Sequence, residues 1–305
     1  MTTRTDPADR DGVSVGGSLV ERLIAAQFPR WAGLPVREVR SSGTDNAMHR
    51  LGGDMVVRLP RTADAAGQVA AEQRWLPHLA PHLPLEVPMP LGAGVPGEGY
   101  GHSWSVYRWI DGENLFDRPL SGGGLLDAAA GLGRFLAALH RVDTAGAPRS
   151  SRGGPPGTAD DEVRAAIRDL GADGRHDAEA ATAAWEAALR APRWQGAPVW
   201  LHGDLLPGNL LGRGGRLTAV IDFGLVGTGD PACDVMAAWT LLTAASRGAF
   251  REAAGVDEAT WARGRGWALR FGLTAEHYYR GGRNPVLAAI GHRAAAEAVA
   301  DHHCG

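Results

Sequence analysis

One stretch of sequence constrains this chain more than any other. Residues 200–211 read WLHGDLLPGNLL, and residues 220–224 read VIDFG. An apolar strand is expected to deliver Asp204 to the start of a polar loop, with Asn209 five residues later. A glycine-rich hairpin then returns a second apolar strand that ends at Asp222. The pattern predicts that three oxygen-bearing side chains converge at the ends of two adjacent strands.

These three side chains match the needs of phosphoryl transfer. The reaction requires a divalent cation to neutralise charge on the β- and γ-phosphates, and hard cations prefer carboxylate and amide oxygens. It also requires a carboxylate close to the acceptor hydroxyl, which accepts the proton late in the transfer. Asp204 fits the catalytic base, while Asn209 and Asp222 fit Mg²⁺ ligands. The sequence therefore predicts a phosphotransferase with a kinase-like active site.

The spacing D-x-x-x-x-N followed by DFG is that of the protein-kinase catalytic loop. Here an HGD triplet containing His202 replaces the kinase H-R-D, and a DPxxD motif follows with Asp230 and Asp234. This combination resembles the aminoglycoside phosphotransferase family, which includes macrolide phosphotransferases and other antibiotic kinases. The resemblance extends over about residues 35–280 and is dense at 200–240. It implies an α+β, protein-kinase-like fold of two lobes, with a small antiparallel-sheet N-lobe and a larger, mainly helical C-lobe.

Hydrophobic periodicity along the chain agrees with that order of elements. Strand-like segments around a Gly52-Gly53 hairpin precede a segment of helical spacing, two further strands follow, and the chain is mainly helical after Asp111-Gly112. The predicted segments are strands within 36–59, a helix at 63–79, strands near 85–91 and 103–110, helices at 125–139, about 160–171 and 177–191, strands within 198–222, and helices from about 232. Trp239, Trp261 and Trp267 are expected to anchor the helical core.

This pattern predicts three parts of the chain. Residues 1–15 are expected to be a disordered N-terminus, 16–110 a nucleotide-binding N-lobe, and 111–305 a helical C-lobe that carries the catalytic loop and the acceptor site. A helical insert at about 145–195 is the region expected to set substrate choice. The order suggests two lobes with a cleft between them, and such clefts are preferred sites for small ligands.

The resemblance implies a nucleotide site in the first lobe. Ser42, Gly43 and Thr44 correspond to the family's phosphate-covering loop, although they would also suit an ordinary polar turn. Arg58 stands where the family has a lysine that meets the α- and β-phosphates, and it would pair with Glu72 on the following helix. The alternative is an exposed ion pair that adds little to stability.

The resemblance also places the hinge between the lobes. Adenine or guanine would bond to backbone groups near Arg108 and Ile110, so the residue types do not separate ATP from GTP. Next to the catalytic loop, Asp230 or Asp234 would brace the loop through its backbone amides, and His202 would orient it. The acceptor would be held by the helical lobe, where Glu276 is one of several carboxylates that are more often solvated helix-face charges. The residues after Asp301 are expected to be a frayed tail.

Composition narrows the partners and the compartment. A formal net charge of −3 gives no reason to expect nucleic acid, and no segment is long and apolar enough for a membrane span. Cys233 and Cys304 lie outside any CxxC pair, which argues against a thiolate metal site and favours a reduced, cytoplasmic protein. The expected partner is a small hydroxylated molecule, and the expected state is a monomer or homodimer.

The leading interpretation is therefore a small-molecule kinase. It would transfer the γ-phosphate of ATP or GTP, with Mg²⁺, to a hydroxyl of an aminoglycoside, macrolide or nucleoside antibiotic, and would act as a resistance enzyme. One alternative is a metabolic kinase of a sugar or amino-alcohol. Another is a nucleotide-binding pseudokinase, which the Arg58 replacement alone favours. The spacing argues against a protein kinase, because no A-P-E motif follows Asp222 and Asp230 comes too soon after it for a long activation loop.

Overall fold

A computed structural model describes residues 15–39, 45–282 and 284–304. The chain divides into two compact units. The first holds the described residues up to Pro81 together with Glu86–Asp111 and Ile221–Gly224, and the second holds His82–Leu85, Gly112–Val220 and the described residues from Leu225 onward.

The first unit is built on one antiparallel sheet of five strands in the order β1-β2-β3-β5-β4. Its elements are α1 (Gly17–Gln27), β1 (Val36–Glu38), β2 (Asn46–Leu51), β3 (Met55–Pro60), α2 (Ala63–Leu79), β4 (Pro90–Gly94) and β5 (Trp104–Arg108). The predicted helix at 63–79 is present with those limits, and Thr62 caps its first turn by accepting from the Ala65 N–H.

The core of this unit is an apolar cluster between α1 and the sheet. Leu23 of α1 is fully buried with Leu59 of β3 and Trp104 of β5. Removing side chains of this size from water is the main term that stabilises the unit. Strand β3 is buried at all six of its positions, as a central strand should be, and it is the strand that carries Arg58.

Strand β4 begins and ends later than the predicted strand at 85–91. It includes Gly92 and Gly94, which lie beyond the end of the predicted strand. A Cβ at Gly94 would lie 2.0 Å from an indole carbon of Trp104, and one at Gly92 would lie 2.8 Å from the Phe28 ring. The strand needs glycine here because aromatic side chains pack directly against its backbone.

The second unit is mainly helical. Its elements are β6 (Glu113–Asn114), α3 (Gly122–Leu139), α4 (Asp160–Ala172), α5 (Ala178–Arg190), β7 (Val199–Leu201), β8 (Leu210–Arg213), β9 (Arg216–Val220), β10 (Gly227–Gly229), α6 (Ala232–Val235), α7 (Ala237–Thr240), α8 (Ala244–Ala254), α9 (Glu258–Tyr279) and α10 (Pro285–Cys304). Its strands form two small antiparallel sheets, β6-β8-β9 and β10-β7. Trp239, Trp261 and Trp267 are buried as predicted.

The predicted fold class is thus confirmed, with a small antiparallel-sheet unit and a larger helical unit. Helix α10 continues to Cys304, so the expectation of a frayed tail from His302 is wrong for the described residues. No helix among the described residues combines the length and apolar character required to cross a bilayer.

Helices α9 and α10 cross closely because each has a glycine at the contact. A Cβ on Gly272 would lie 2.6 Å from the Ala295 backbone nitrogen and 2.7 Å from the Gly291 carbonyl oxygen. We expect Gly272→Ala to lower the free energy of unfolding by about 1–3 kcal/mol, because the added methyl group must push the helices apart. Gly131→Ala on α3, where the nearest atom to a Cβ would be 3.9 Å away, is the matched control.

Chemical denaturation of both variants checks this prediction. Gly131→Ala should be neutral or stabilising, since alanine has the better helix propensity. Equal stability of Gly272→Ala and the unmodified protein would contradict the close crossing.

Candidate active site

A cluster in the first unit joins four polar groups, those of the buried Arg58, Glu72 and Tyr107 and of the partly exposed Asp222. The guanidinium of Arg58 donates from Nη1 to both carboxylate oxygens of Glu72, at 2.6 and 2.7 Å, and from Nη2 to Oδ1 of Asp222 at 2.9 Å. The Tyr107 hydroxyl donates to Glu72 Oε2 at 2.6 Å. The exposed ion pair considered as an alternative is therefore absent, since the Arg58 and Glu72 side chains are only 10% and 2% exposed.

The charges in this cluster hold one another in place. Burial by itself lowers the pKa of Arg58, but the carboxylates of Glu72 and Asp222 outweigh it, so the pKa lies above the ordinary arginine value. Burial raises the pKa of Tyr107 well above its usual range, which keeps its hydroxyl protonated and able to donate. Tyr107 enters the cluster through that hydroxyl.

Asp222 has a backbone conformation that side chains rarely adopt. Its φ is +63°, in the left-handed region that costs non-glycine residues free energy. Its side chain is 44% exposed, which contrasts with the burial of its partner Arg58. The strained backbone therefore presents a carboxylate that is anchored at one oxygen yet accessible to a ligand.

The loop after β7 holds Asp204 in a fixed position in the second unit. Asn209 donates from Nδ2 to the Asp204 main-chain oxygen at 2.9 Å and to its carboxylate Oδ2 at 3.0 Å. Because the amide nitrogen is committed to Asp204, the amide oxygen of Asn209 is the atom left to meet a cation. The predicted spacing of five residues thus corresponds to a direct contact between the two side chains.

Asp234 of α6 also holds this loop in position. Its fully buried carboxylate accepts from the backbone N–H of His202 at 2.7 Å and of Gly203 at 2.8 Å. The His202 ring is also buried, and its Nδ1 accepts from the Asp204 N–H at 3.1 Å. These contacts are those of positioning residues, and of the two aspartates considered for bracing the loop, Asp234 is the one that accepts from its amides.

Asp230 has a different set of partners. It forms a two-pronged ion pair with Arg263 of α9, at 2.7 and 3.0 Å, and both side chains are buried. Arg263 also donates to the Pro192 carbonyl oxygen at 2.6 Å. Sequence reasoning missed Arg263, because nothing local distinguishes it from other arginines on an amphipathic helix.

The remaining predicted nucleotide contacts fall in two places. Ser42, Gly43 and Thr44 lie outside the described residues. Arg108 ends β5, where its backbone N–H donates to the Met89 carbonyl oxygen at 2.9 Å, and Ile110 is buried two residues later. Their part in binding a nucleobase stays a prediction.

Glu276 contradicts the expectation of a solvated helix-face charge. Its side chain is completely buried, and its carboxylate oxygens meet Arg175, His176 and His292. The opposing charges and hydrogen-bond donors are what make such burial tolerable.

Asp234 leads to a prediction about pH. Burial raises its pKa to about 7, although the two backbone amides favour the carboxylate. Since the folded-state value lies above that of an unfolded aspartate, this group stabilises the fold most at low pH and loses that contribution as the pH rises toward 7. We therefore expect the unmodified protein to lose stability relative to Asp234→Asn as the pH rises from about 5 to about 8.

Denaturant titrations of both proteins at the two pH values check this prediction. A difference that does not vary with pH would mean that Asp234 titrates at an ordinary value. Asp234→Asn should also lower kcat by a larger factor than it lowers the nucleotide affinity. The reason is that the backbone amides of His202 and Gly203 lose a carboxylate acceptor.

The sheet unit, the helical unit and the HGD, DFG and DPxxD residues together define a protein-kinase-like phosphotransferase. The chain belongs to the phosphotransferase enzyme family abbreviated APH, whose family model matches residues 36–267. The predicted resemblance is thus confirmed, and so is the predicted class of enzyme, a phosphotransferase with an alcohol group as acceptor.

Solved structures show the same fold. The GDP complex of wild-type aminoglycoside 2′-phosphotransferase-IIIa superposes with a TM-score of 0.71 at 19% identity, covering 94% of this chain and 99% of that one. The apoenzyme of a macrolide 2′-phosphotransferase from Brachybacterium faecium gives 0.59 at 25% identity, covering 92% and 98%. A structure described as macrolide 2′-phosphotransferase type I gives 0.61 at 20% identity, covering 92% and 97%. Among curated protein sequences, none matches this chain.

Proposed function

We propose that this protein transfers the γ-phosphate of ATP or GTP to a hydroxyl of an antibiotic-like natural product, in the aminoglycoside, macrolide or nucleoside class. The observation that carries the proposal is the paired Asp204 and Asn209 on an HGD loop, in a chain that matches antibiotic phosphotransferases over nearly its whole length. In a bacterial host, such a reaction would give resistance to the acceptor.

Asp204 would act as the base of this reaction. Its carboxylate is aimed by Asn209 through the 3.0 Å bond and by His202 through the loop backbone. A carboxylate held in this way can orient the acceptor hydroxyl and take its proton as the bond to phosphorus forms. In the balanced reaction the acceptor oxygen gains the phosphoryl group, the nucleotide leaves as its diphosphate, and the proton passes to Asp204.

The donor set of the chain fits a magnesium ion. The amide oxygen of Asn209 and the carboxylate of Asp222 are hard oxygen ligands, which Mg²⁺ prefers over nitrogen or sulfur. Magnesium bound to the nucleotide would neutralise charge on its phosphates. Asp222 can serve as such a ligand because close to half of its side chain is exposed while Arg58 fixes one oxygen.

The nucleotide phosphates would meet Arg58. Arginine carries the same charge as the lysine found in relatives and offers more N–H donors, but two of its nitrogens already bind Glu72 and Asp222. The sequence contains 31 arginines and no lysine, so no lysine can take over that contact. Arginine at residue 58 thus reflects the absence of lysine throughout the chain, and it is not by itself a sign of a pseudokinase.

A panel of acceptors tests the proposal. Aminoglycosides, macrolides and nucleoside antibiotics are incubated with ATP or GTP and Mg²⁺, and products are identified by a mass gain of one phosphoryl group. Asp204→Ala, run on the same panel, is the control for contaminating kinases. We expect phosphorylation within one of the three classes.

Two results would favour a different function. Transfer only to sugars or amino-alcohols, added as a fourth group, would identify a metabolic kinase. Nucleotide binding without transfer to any acceptor or to water would identify a pseudokinase.

A further inference from the structure

Three side chains of metal-binding type meet in the helical unit, away from the HGD loop. They are His176, two residues before α5, Glu276 near the end of α9, and His292 on α10. His176 Nε2 lies 2.5 Å from Glu276 Oε2, and His292 Nδ1 lies 3.1 and 3.2 Å from the two oxygens of Glu276. One ligand atom from each residue can be chosen so that all lie within 4.8 Å of one another.

The backbone around this cluster holds the ligands in place. The crossing of α9 and α10 at Gly272 and Gly291 fixes the spacing of Glu276 and His292, since a Cβ on Gly291 would lie 2.9 Å from the Glu276 nitrogen. Asp177 caps α5 by accepting from the N–H groups of residues 179 and 180, which fixes the residue just before it, His176. A site whose ligands are held by packed helices and by a helix cap loses little conformational entropy when an ion binds.

Arg175 meets the carboxylate on its other oxygen. Its Nε donates to Glu276 Oε1 at 2.5 Å, whereas His176 meets Oε2. A ligating carboxylate commonly has its second oxygen hydrogen-bonded by a neighbour, which orients the first oxygen toward the metal. Oε2 contacts both histidines and does not bond Arg175, so it is the carboxylate oxygen available to a cation.

The distances from each histidine to Glu276 are close to those that a small tetrahedral ion requires, and the full set of ligand atoms lies within 4.8 Å. Zinc binds histidine nitrogen and carboxylate oxygen at about 2.0–2.2 Å, so its ligand atoms stand roughly 3.3 Å apart. The separation between His292 and Glu276 already has this value within a few tenths of an ångström, and the bond between His176 and Glu276 must open by less than about 1 Å. His292 is 48% exposed, which leaves a route to solvent and a fourth position for water.

We propose that His176, Glu276 and His292 form a binding site for a divalent transition cation of the zinc type. Two imidazoles and one carboxylate with an open position are a recognised zinc donor set, whereas Mg²⁺ and Ca²⁺ prefer oxygen ligands alone. This site is separate from the proposed magnesium ligands and does not depend on the identity of the acceptor.

The test uses the whole 305-residue chain, stripped with a chelator and titrated with Zn²⁺ by calorimetry. All titrations are made in a variant that carries His302→Ala and His303→Ala, because neighbouring histidines at the end of α10 can bind zinc weakly. We expect one equivalent to bind tightly, and an excess of Mg²⁺ should not displace it. Cobalt added in place of zinc should give the visible absorption of a four-coordinate ion.

His292→Ala is the decisive variant, because its half-exposed side chain can be removed without opening the buried core. It should abolish the tight equivalent. His277→Ala is the matched control, since the adjacent His277 is bonded to Asp169 instead, and it should leave binding unchanged. Arg175→Gln should weaken binding by about 10–100-fold, as the loss of a hydrogen bond to a ligand does.

Three outcomes would overturn the proposal. They are no tight equivalent in a folded protein, an equivalent retained by His292→Ala, or displacement of zinc by Mg²⁺. The last would place the ion at the catalytic carboxylates. A folded state verified by circular dichroism accompanies each titration, so that loss of structure is not read as loss of a ligand.

Discussion

Asp204→Ala is expected to lower the rate of phosphoryl transfer by about 10²–10⁴-fold, which is the usual contribution of a positioned general base. Nucleotide affinity should change little, because the contacts of Asp204 are with Asn209 and the HGD loop. A coupled assay of nucleoside diphosphate release measures the rate, and calorimetry with a non-hydrolysable nucleotide measures the affinity. Loss of rate at constant affinity is the signature of a group used in the chemical step.

Two controls make this result interpretable. Asp127→Ala removes an exposed carboxylate from α3 of the same unit and should leave the rate unchanged. Asp204→Asn keeps the shape of the side chain but not the base, so it should be nearly as slow as Asp204→Ala. Full activity in either Asp204 variant would rule out Asp204 as the base.

Arg58→Met is expected to damage both stability and activity. It leaves Glu72 as a buried carboxylate without its ion-pair partner, a change that typically costs about 3–5 kcal/mol of the free energy of unfolding. Asp222 also loses its anchor, and the proposed contact with the nucleotide phosphates is removed. Chemical denaturation reports the first effect, and the KM for the nucleotide together with kcat reports the second.

A double variant separates the two effects. Arg58→Met combined with Glu72→Leu removes both buried charges, so most of the stability should return. Activity should remain low, because the phosphate contact and the Asp222 anchor are still missing. Recovery of activity in the double variant would show that Arg58 matters only as the partner of Glu72. Arg58→Lys should keep most of the stability and test whether the family's usual residue works in this setting.

Local patterns predicted much of this molecule. The helix at 63–79 and the succession of strands and helices along the chain followed from hydrophobic periodicity and glycine turns, and the fold class followed from the resemblance at 200–240. The contact between Asp204 and Asn209 was predictable because five residues of loop must bring both side chains to one place. Short-range spacing is therefore the part of the site that sequence alone conveyed best.

Contacts between distant segments were harder to predict. Arg263 pairs with Asp230, 33 residues away in the sequence, and His176 pairs with Glu276, 100 residues away. Both pairs depend on helix packing that no local pattern encodes. The glycines of β4 were misplaced for a similar reason, since the aromatic ring that excludes a side chain at Gly94 belongs to the next strand. Glu276 looked like a surface charge because only its tertiary neighbours reveal its burial.

The guanidinium at residue 58 has a consequence for how this enzyme can be detected. Reagents that tag kinases by acylating an amine beside the nucleotide phosphates depend on a nucleophilic lysine. Arg58 stays protonated and is a poor nucleophile, and the sequence contains no lysine. A survey of nucleotide-using enzymes by amine-directed labelling would pass over this protein even in a lysate where it is abundant and active.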